Sequence, residues 1–223
     1  MPSLPLFPLG TVLLPGARLP LVVFEPRYIA LLADLKASAP PGQRAFGVVA
    51  IRRGTEVGAG AATELFDVGC EAVIEQVTGT EPPFQVRTVG RRRFRLTGRD
   101  ESAGSPYLTG RVTWLDPVAR PPGSAPAADV AALADRVRTT HARLLAAIGA
   151  TTGRVGQVGP DELAYRIVER SPLELADRQA VLAGRTERDR LGTLLAVLRR
   201  ELALVTQVRA VPGRIEPGGF SPN

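Results

Sequence analysis

Cysteine, histidine and lysine each occur once in the 223-residue sequence, as Cys70, His141 and Lys36. One cysteine cannot form a disulfide within the chain, and one histidine excludes a metal site built from several histidines. A nucleotide-binding P-loop needs a Gly-Lys-Ser/Thr sequence, but Lys36 follows Leu35. A serine–lysine peptidase dyad would have to use the same lysine, and no serine lies in a nucleophile elbow. We therefore expect no catalytic residue, no metal ligand, no cofactor and no enzyme activity.

The N-terminus lacks a basic segment followed by an apolar run, so the sequence predicts no secretory signal. Residues 1–17 are uncharged, but they are too short to span a bilayer and contain several prolines. Hydrophobic residues make up 44% of the chain, which indicates a globular protein. The net charge of +6 is spread along the chain and is weak evidence for nucleic acid. We expect a cytoplasmic protein without a membrane partner.

Aromatic residues are scarce after position 118, where only Tyr165 and Phe220 occur. This later part is rich in alanine, leucine and arginine, which favour helices. We therefore predict an α+β fold, with strands in the first part and helices in the second. A proline-rich segment at 117–126 predicts a linker between the two parts. The predicted units are a β subdomain at 1–118, a helical bundle at 119–209 and a disordered tail at 210–223.

Short apolar runs alternate with prolines and glycines in the stretch LPLFPLGTVLLPGARLPLVVFEPRY, residues 4–28. Because proline lacks an N–H and fixes φ, this stretch cannot be one long helix. It predicts two strands joined by a turn at Pro15-Gly16, followed by a helix that starts near Pro26. The strands predicted by apolar runs and alternation are 4–9, 19–24, 45–51, 66–78, 84–97 and 107–115. Within 66–78, Cys70 falls on the apolar face and Gly69 indicates a bulge.

Apolar residues recur at helical spacing after the linker. They predict a long helix that is ended by Gly149, and a second helix that starts at Pro160. Ser171 and Glu174 form a strong capping box for a third helix, and Thr186 with Asp189 forms a weaker one for a fourth. His141 lies on the apolar stripe of the first of these helices, so we favour a packed histidine over a general base.

These motifs resemble the LON domain, the substrate-binding N-terminal domain of Lon proteases. The opening Pro-Leu-Phe-Pro-Leu run, the Pro-Gly turn and the Glu-Pro-Arg-Tyr helix start carry the likeness, together with VGCEAVIEQV, GRRRFRL, PYLTGRVTWL and the helical segment 160–202. The resemblance implies a PUA-like, LON-type β pseudobarrel followed by a C-terminal helical bundle. It also implies a recognition module that lacks the ATPase and peptidase modules of full-length Lon.

Two functions from different classes stay open. The resemblance favours non-catalytic binding of unfolded polypeptide segments or a protein partner in a groove between barrel and bundle, at residues that the sequence does not identify. The alternative is RNA binding by the arginine-rich segment Arg87–Arg99, since PUA-like barrels often bind RNA. Alternation along a strand would place Arg91, Arg93 and Arg95 on one face.

A third option, a small-molecule or enzymatic site in the barrel, is disfavoured because titratable residues are few. The competing interpretation of the arginine-rich segment is a solvated strand whose arginines pair with acidic neighbours such as Glu71 and Glu75. Glu25 and Arg27 flank Pro26, where we predict a structural ion pair that fixes the start of the first helix.

Overall fold

A computed structural model describes residues 2–56, 62–100, 104–115, 127–150 and 155–210. Its strands are β1 (Ser3–Leu9), β2 (Arg18–Val23), β3 (Ala45–Gly54), β4 (Ala62–Leu65), β5 (Val68–Thr78), β6 (Phe84–Arg99) and β7 (Thr109–Trp114). Its helices are α1 (Pro26–Ser38), α2 (Ala128–Ala147), α3 (Pro160–Arg170), α4 (Leu175–Ala183) and α5 (Glu187–Ala210). The predicted linker at 117–126 and the tail after 210 lie outside the described residues.

Five of the strands close into a barrel. Their order is β1-β7-β6-β5-β3, and a parallel pairing between β1 and β3 joins the two ends. The other two strands extend the sheet, since β2 pairs antiparallel with β6 and β4 with the end of β3. The predicted pseudobarrel followed by helices is therefore confirmed, with β4 as a short strand that the sequence pattern did not reveal.

The interior of the barrel is filled by side chains around Phe94. This small core contains Leu4, Leu6, Val49, Phe94 and Val112. Glycine is required opposite the ring, because a Cβ at Gly69 would lie 2.5 Å from Phe94 Cζ and a Cβ at Gly47 would lie 2.7 Å from it. The expected bulge at Gly69 is wrong, because Gly69 pairs directly with Phe94. The register shift lies farther along β5, between Cys70 and Ala72.

The predicted Pro15-Gly16 turn is confirmed, and its backbone is hydrogen-bonded to β6. Ala17 N–H donates to Leu14 O at 3.0 Å, and Gly16 has the left-handed φ of +77°. That φ is one that glycine adopts readily. Gly16 N–H donates to Gly90 O and Gly90 N–H donates to Ala17 O, both at 2.8 Å. These bonds direct β2 onto β6 rather than back onto β1.

The largest core lies between the sheet and the helices. It extends from Phe7 in β1 to Leu198 in α5, so strands and helices contribute to one cluster. Cys70 is fully buried within it, which confirms its predicted role as a small core side chain. One face of α1 also enters this core through Tyr28, Leu31 and Leu35. The division into units 1–118 and 119–209 stays a prediction.

The two predicted capping boxes have opposite outcomes. Thr186 and Asp189 form a complete box, because each backbone N–H donates to the other's side chain at 3.0 Å. The stronger sequence match is wrong, since α4 begins at Leu175 and no side chain caps it. The reason is that buried Ser171 bonds backwards, with Oγ donating to Ile167 O at 2.7 Å in the last turn of α3.

Candidate functional site

A groove of about 530 Å³ lies between α1 and the hairpin formed by β5 and β6. We call it the α1 groove. The helix contributes Ile29, Leu32, Ala33 and Lys36, which are spaced three or four residues apart and share one face. The remaining lining residues are Pro41, Gly42, Arg44, Ile74, Glu75, Gln76, Val77, Gly79, Thr80 and Phe84. This place differs from the predicted one between barrel and bundle.

The floor of the α1 groove is apolar. Ile29, Leu32 and Phe84 are half-buried against the main core, and Ile74 is buried in it. Val77 is 43% exposed although its side chain is aliphatic. Concave sites with an apolar lining and a few charged groups are typical ligand sites. The arrangement can therefore accept apolar side chains.

The charged groups of the α1 groove are Lys36, Arg44 and Glu75. Lys36 lies in the last turn of α1. Arg44 is half-buried, and its Nε donates to Ala39 O, directly after α1, at 2.9 Å. That bond orients the guanidinium at the end of the helix. Sequence reasoning missed these residues because the groove joins three segments that are distant in the chain.

The junction before α1 contains the predicted ion pair. Arg27 Nη2 lies 2.8 Å from Glu25 Oε2, which confirms the pair. Arg27 Nη2 also donates to Glu56 O at 3.0 Å, and its guanidinium lies 4.6 Å from the ring centroid of Tyr28. Burial raises the pKa of Tyr28. These contacts fix the start of α1.

The arginine-rich segment is less exposed than alternation suggested. Arg91 is exposed, but Arg93 is only 1% exposed. Its Nη1 donates to Leu182 O at 2.7 Å and to Gly184 O at 2.6 Å, where α4 ends. Arg93 therefore does not form an exposed row with Arg91 and Arg95, because α4 covers that part of β6.

Acidic and aromatic neighbours engage two other arginines of β6, Arg92 and Arg95. Arg92 donates from Nε and Nη2 to the two carboxylate oxygens of Glu71, each at 2.9 Å. The Arg92 guanidinium also lies 3.8 Å from the ring centroid of Trp114. Arg95 forms an ion pair with Asp67. The predicted pairing of this segment with Glu71 is confirmed, whereas RNA binding by the segment stays a prediction.

His141 is packed inside the helical part. It is 4% exposed, and its Nε2 has no hydrogen-bond partner among the described residues. Burial lowers the pKa of the imidazole, because the charged form would lose its hydration. The predicted assignment as a packed histidine is confirmed by this burial.

Replacing His141 by leucine should reduce the acid sensitivity of the fold. Since the folded pKa is lowered, the stabilising contribution is complete above the unfolded pKa of about 6.5 and is lost as the pH falls towards the folded pKa. Urea unfolding at about pH 7.5 and at about pH 5 should show a smaller loss of unfolding free energy in His141→Leu than in the parent, with a limiting slope of about 1.4 kcal/mol per pH unit. Equal losses would contradict this assignment.

A metal-ligand cluster and a membrane-spanning helix were both sought in the described ranges. Within 2–56, 62–100, 104–115, 127–150 and 155–210, no three His, Cys, Asp or Glu side chains gather as a metal site would require. The described helices include none with the length and hydrophobicity of a membrane-spanning segment.

Comparison with known proteins identifies proteins that share this fold. The family model of the ATP-dependent protease La (LON) substrate-binding domain matches residues 3–200. The crystal structure of a Lon N-terminal domain protein from Xanthomonas campestris is 28% identical, with a TM-score of 0.63 over 88% of this chain and 98% of that one. The N-terminal domain of a Mycobacterium avium complex Lon protease is 19% identical and shares the fold, with a TM-score of 0.60 over 91% and 98% of the two chains. No curated protein matches significantly.

Proposed function

This chain belongs to the ATP-dependent protease La (LON) substrate-binding domain family, and from that premise we propose that it is a non-catalytic module that binds unfolded polypeptide segments in the α1 groove. The name of the family describes substrate binding rather than catalysis.

The observation that carries this proposal is the apolar floor of the α1 groove. Val77 leaves 43% of its surface in water beside half-buried Leu32 and Phe84. Covering apolar surface yields about 25 cal/mol per Å² removed from water. Unfolded chains expose aliphatic and aromatic side chains that folded partners bury, so they suit such a floor.

The expected affinity is modest. A groove of about 530 Å³ accepts only a few side chains. An unfolded segment also loses conformational freedom when it binds, and this loss opposes the gain from apolar contact. We expect dissociation constants in the micromolar range or weaker, with little dependence on salt because the contact is mainly apolar.

Replacing Val77 by aspartate should weaken binding of fluorescein-labelled casein about tenfold or more. The substitution removes apolar contact and places a charge on the floor, where a bound apolar side chain would desolvate it. Fluorescence anisotropy at fixed salt measures the affinity. Ile148→Asp is the matched control, because Ile148 is 41% exposed against 43% for Val77 and ends α2 in the helical part.

The two variants decide the proposal together. Both change an exposed aliphatic residue, so both should stay folded, which thermal unfolding establishes. A loss of casein affinity in Val77→Asp alone supports the α1 groove. Equal losses in both variants, or no loss in Val77→Asp, would show that casein binds elsewhere or by charge alone.

A further inference from the structure

We propose that the α1 groove recognises the C-terminal end of a polypeptide whose last residues are apolar, with the terminal carboxylate bound by Lys36 and Arg44. This inference rests on the proposed function and specifies the kind of segment. It follows from the division of the groove into an apolar end and a cationic end.

The apolar end lies beside the first turns of α1. Phe84 pairs with Val23 in the β2–β6 ladder, and α1 begins three residues after Val23, at Pro26. Ile29 follows within the next turn and lines the groove with Phe84. At this end the groove offers aliphatic and aromatic surface.

The cationic end lies beside the last turn of α1. Lys36 belongs to that turn, and the bond from Arg44 Nε to Ala39 O places the guanidinium at the same end. Across the described residues, neither Lys36 nor the two Nη atoms of Arg44 has an acidic partner. A half-buried guanidinium that is already oriented and lacks a counter-ion is suited to a carboxylate, which it can bind through two parallel N–H groups.

The length of the groove fits the last residues of a chain. Ile29 and Lys36 are seven residues apart on α1, which corresponds to about 10 Å along the helix axis. An extended polypeptide advances about 3.3 Å per residue, so about three residues span this distance. When the terminal carboxylate of a peptide lies at the cationic end, the side chains of the two preceding peptide residues therefore lie on Leu32 and at the apolar end.

The charge of the groove matches one carboxylate. Lys36 and Arg44 are positive, whereas Glu75 is negative and exposed, so the three groups leave one net positive charge. Glu75 would repel a second negative charge that was bound beside β5. A chain end with apolar side chains supplies one carboxylate and no further charge.

The test compares two forms of one peptide. A fluorescein-labelled glycine–serine peptide that ends in Leu-Ala-Leu is prepared with a free C-terminal carboxylate and as the C-terminal amide. We expect amidation to weaken binding to the full chain by about tenfold, since charge-assisted hydrogen bonds are lost. A third peptide, amidated but with aspartate inserted before the amide, separates a terminal carboxylate from a side-chain carboxylate.

The variants Lys36→Gln and Arg44→Gln should weaken binding of the free acid about tenfold and leave binding of the amide unchanged. Arg18→Gln is the control, because Arg18 is an exposed arginine that lines a neighbouring cavity rather than the α1 groove. Thermal unfolding establishes that Arg44→Gln is folded. Arg44→Lys, which keeps the charge but not the planar fork, should recover part of the affinity.

The outcomes are distinct from those of the proposed function. Equal affinity for acid and amide, or full recovery by the aspartate that precedes the amide, overturns the assignment of a terminal carboxylate even if Val77→Asp abolishes casein binding. If Val77→Asp leaves casein binding intact, the proposed function itself fails. Preference for the free acid that is lost in Lys36→Gln and Arg44→Gln but kept in Arg18→Gln supports the inference.

Discussion

Replacing Gly90 by alanine should destabilise the protein by about 3 kcal/mol or more. An added Cβ at this position would lie 2.1 Å from Leu14 O and 2.9 Å from the Leu14 carbonyl carbon. Both contacts are with backbone, which cannot move aside as the end of a flexible side chain can. The pair of 2.8 Å bonds that joins Gly90 to Gly16 and Ala17 holds the turn at this distance.

Urea unfolding measures the effect, and Gly192→Ala is the matched control. Gly192 lies inside α5, and a Cβ there would meet nothing within 4 Å. Alanine should therefore stabilise that helix by up to about 1 kcal/mol, because it removes the flexibility of glycine. If Gly90→Ala and the parent have the same urea midpoint, the Leu14 carbonyl does not lie close enough to Gly90 to exclude a Cβ.

Six of the seven described strands could be predicted because each signal is local. The strand at 68–78 and the Pro15-Gly16 turn are each indicated by a few neighbouring residues, and the structure contains both. The burial of that strand does not alternate, because residues 68–74 are all buried. Pairing could not be predicted in the same way. The parallel contact that places Leu6 opposite Gly47 joins segments about 40 residues apart, and neither segment contains a local signal that identifies its partner.

Helix starts show where a local signal fails. Ser171 had the stronger capping pattern, yet its hydroxyl is taken by Ile167 O in the preceding helix. Thr186 forms its box with Asp189 because no preceding carbonyl competes for that hydroxyl in the contacts described. A Ser or Thr side chain between two helices can thus bond to the end of the first helix or cap the start of the second. Tertiary packing decides which of these bonds forms.

Local sequence patterns could not predict the α1 groove, for a different reason. Helical spacing places Leu32 and Ile29 on one face of α1, but spacing does not tell which residues of a face stay half-exposed. Val77 lies past a second register shift in β5, between Ile74 and Gln76, so simple alternation does not give its face. The site depends on where two such irregular segments meet.

Replacing Arg93 by methionine should destabilise the protein by about 3 kcal/mol. The guanidinium is 1% exposed and donates to the carbonyls of Leu182 and Gly184 at the end of α4. A cation at a helix C-terminus is favourable, and its removal leaves the buried Leu182 carbonyl without this donor. Methionine fills similar space, so the loss reports mainly on these polar contacts. Urea unfolding measures it.

Arg91→Ser and Arg95→Ser are the controls, because Arg91 is exposed and Arg95 pairs with Asp67 at the surface. Each should change the unfolding free energy by about 1 kcal/mol or less. These two substitutions, without Arg93, also form the proper test of the RNA alternative. Loss of RNA binding together with a weaker salt dependence in this stable double variant would support that alternative. If Arg93→Met is as stable as the double variant, Arg93 does not join the barrel to α4, and its burial has no stabilising role.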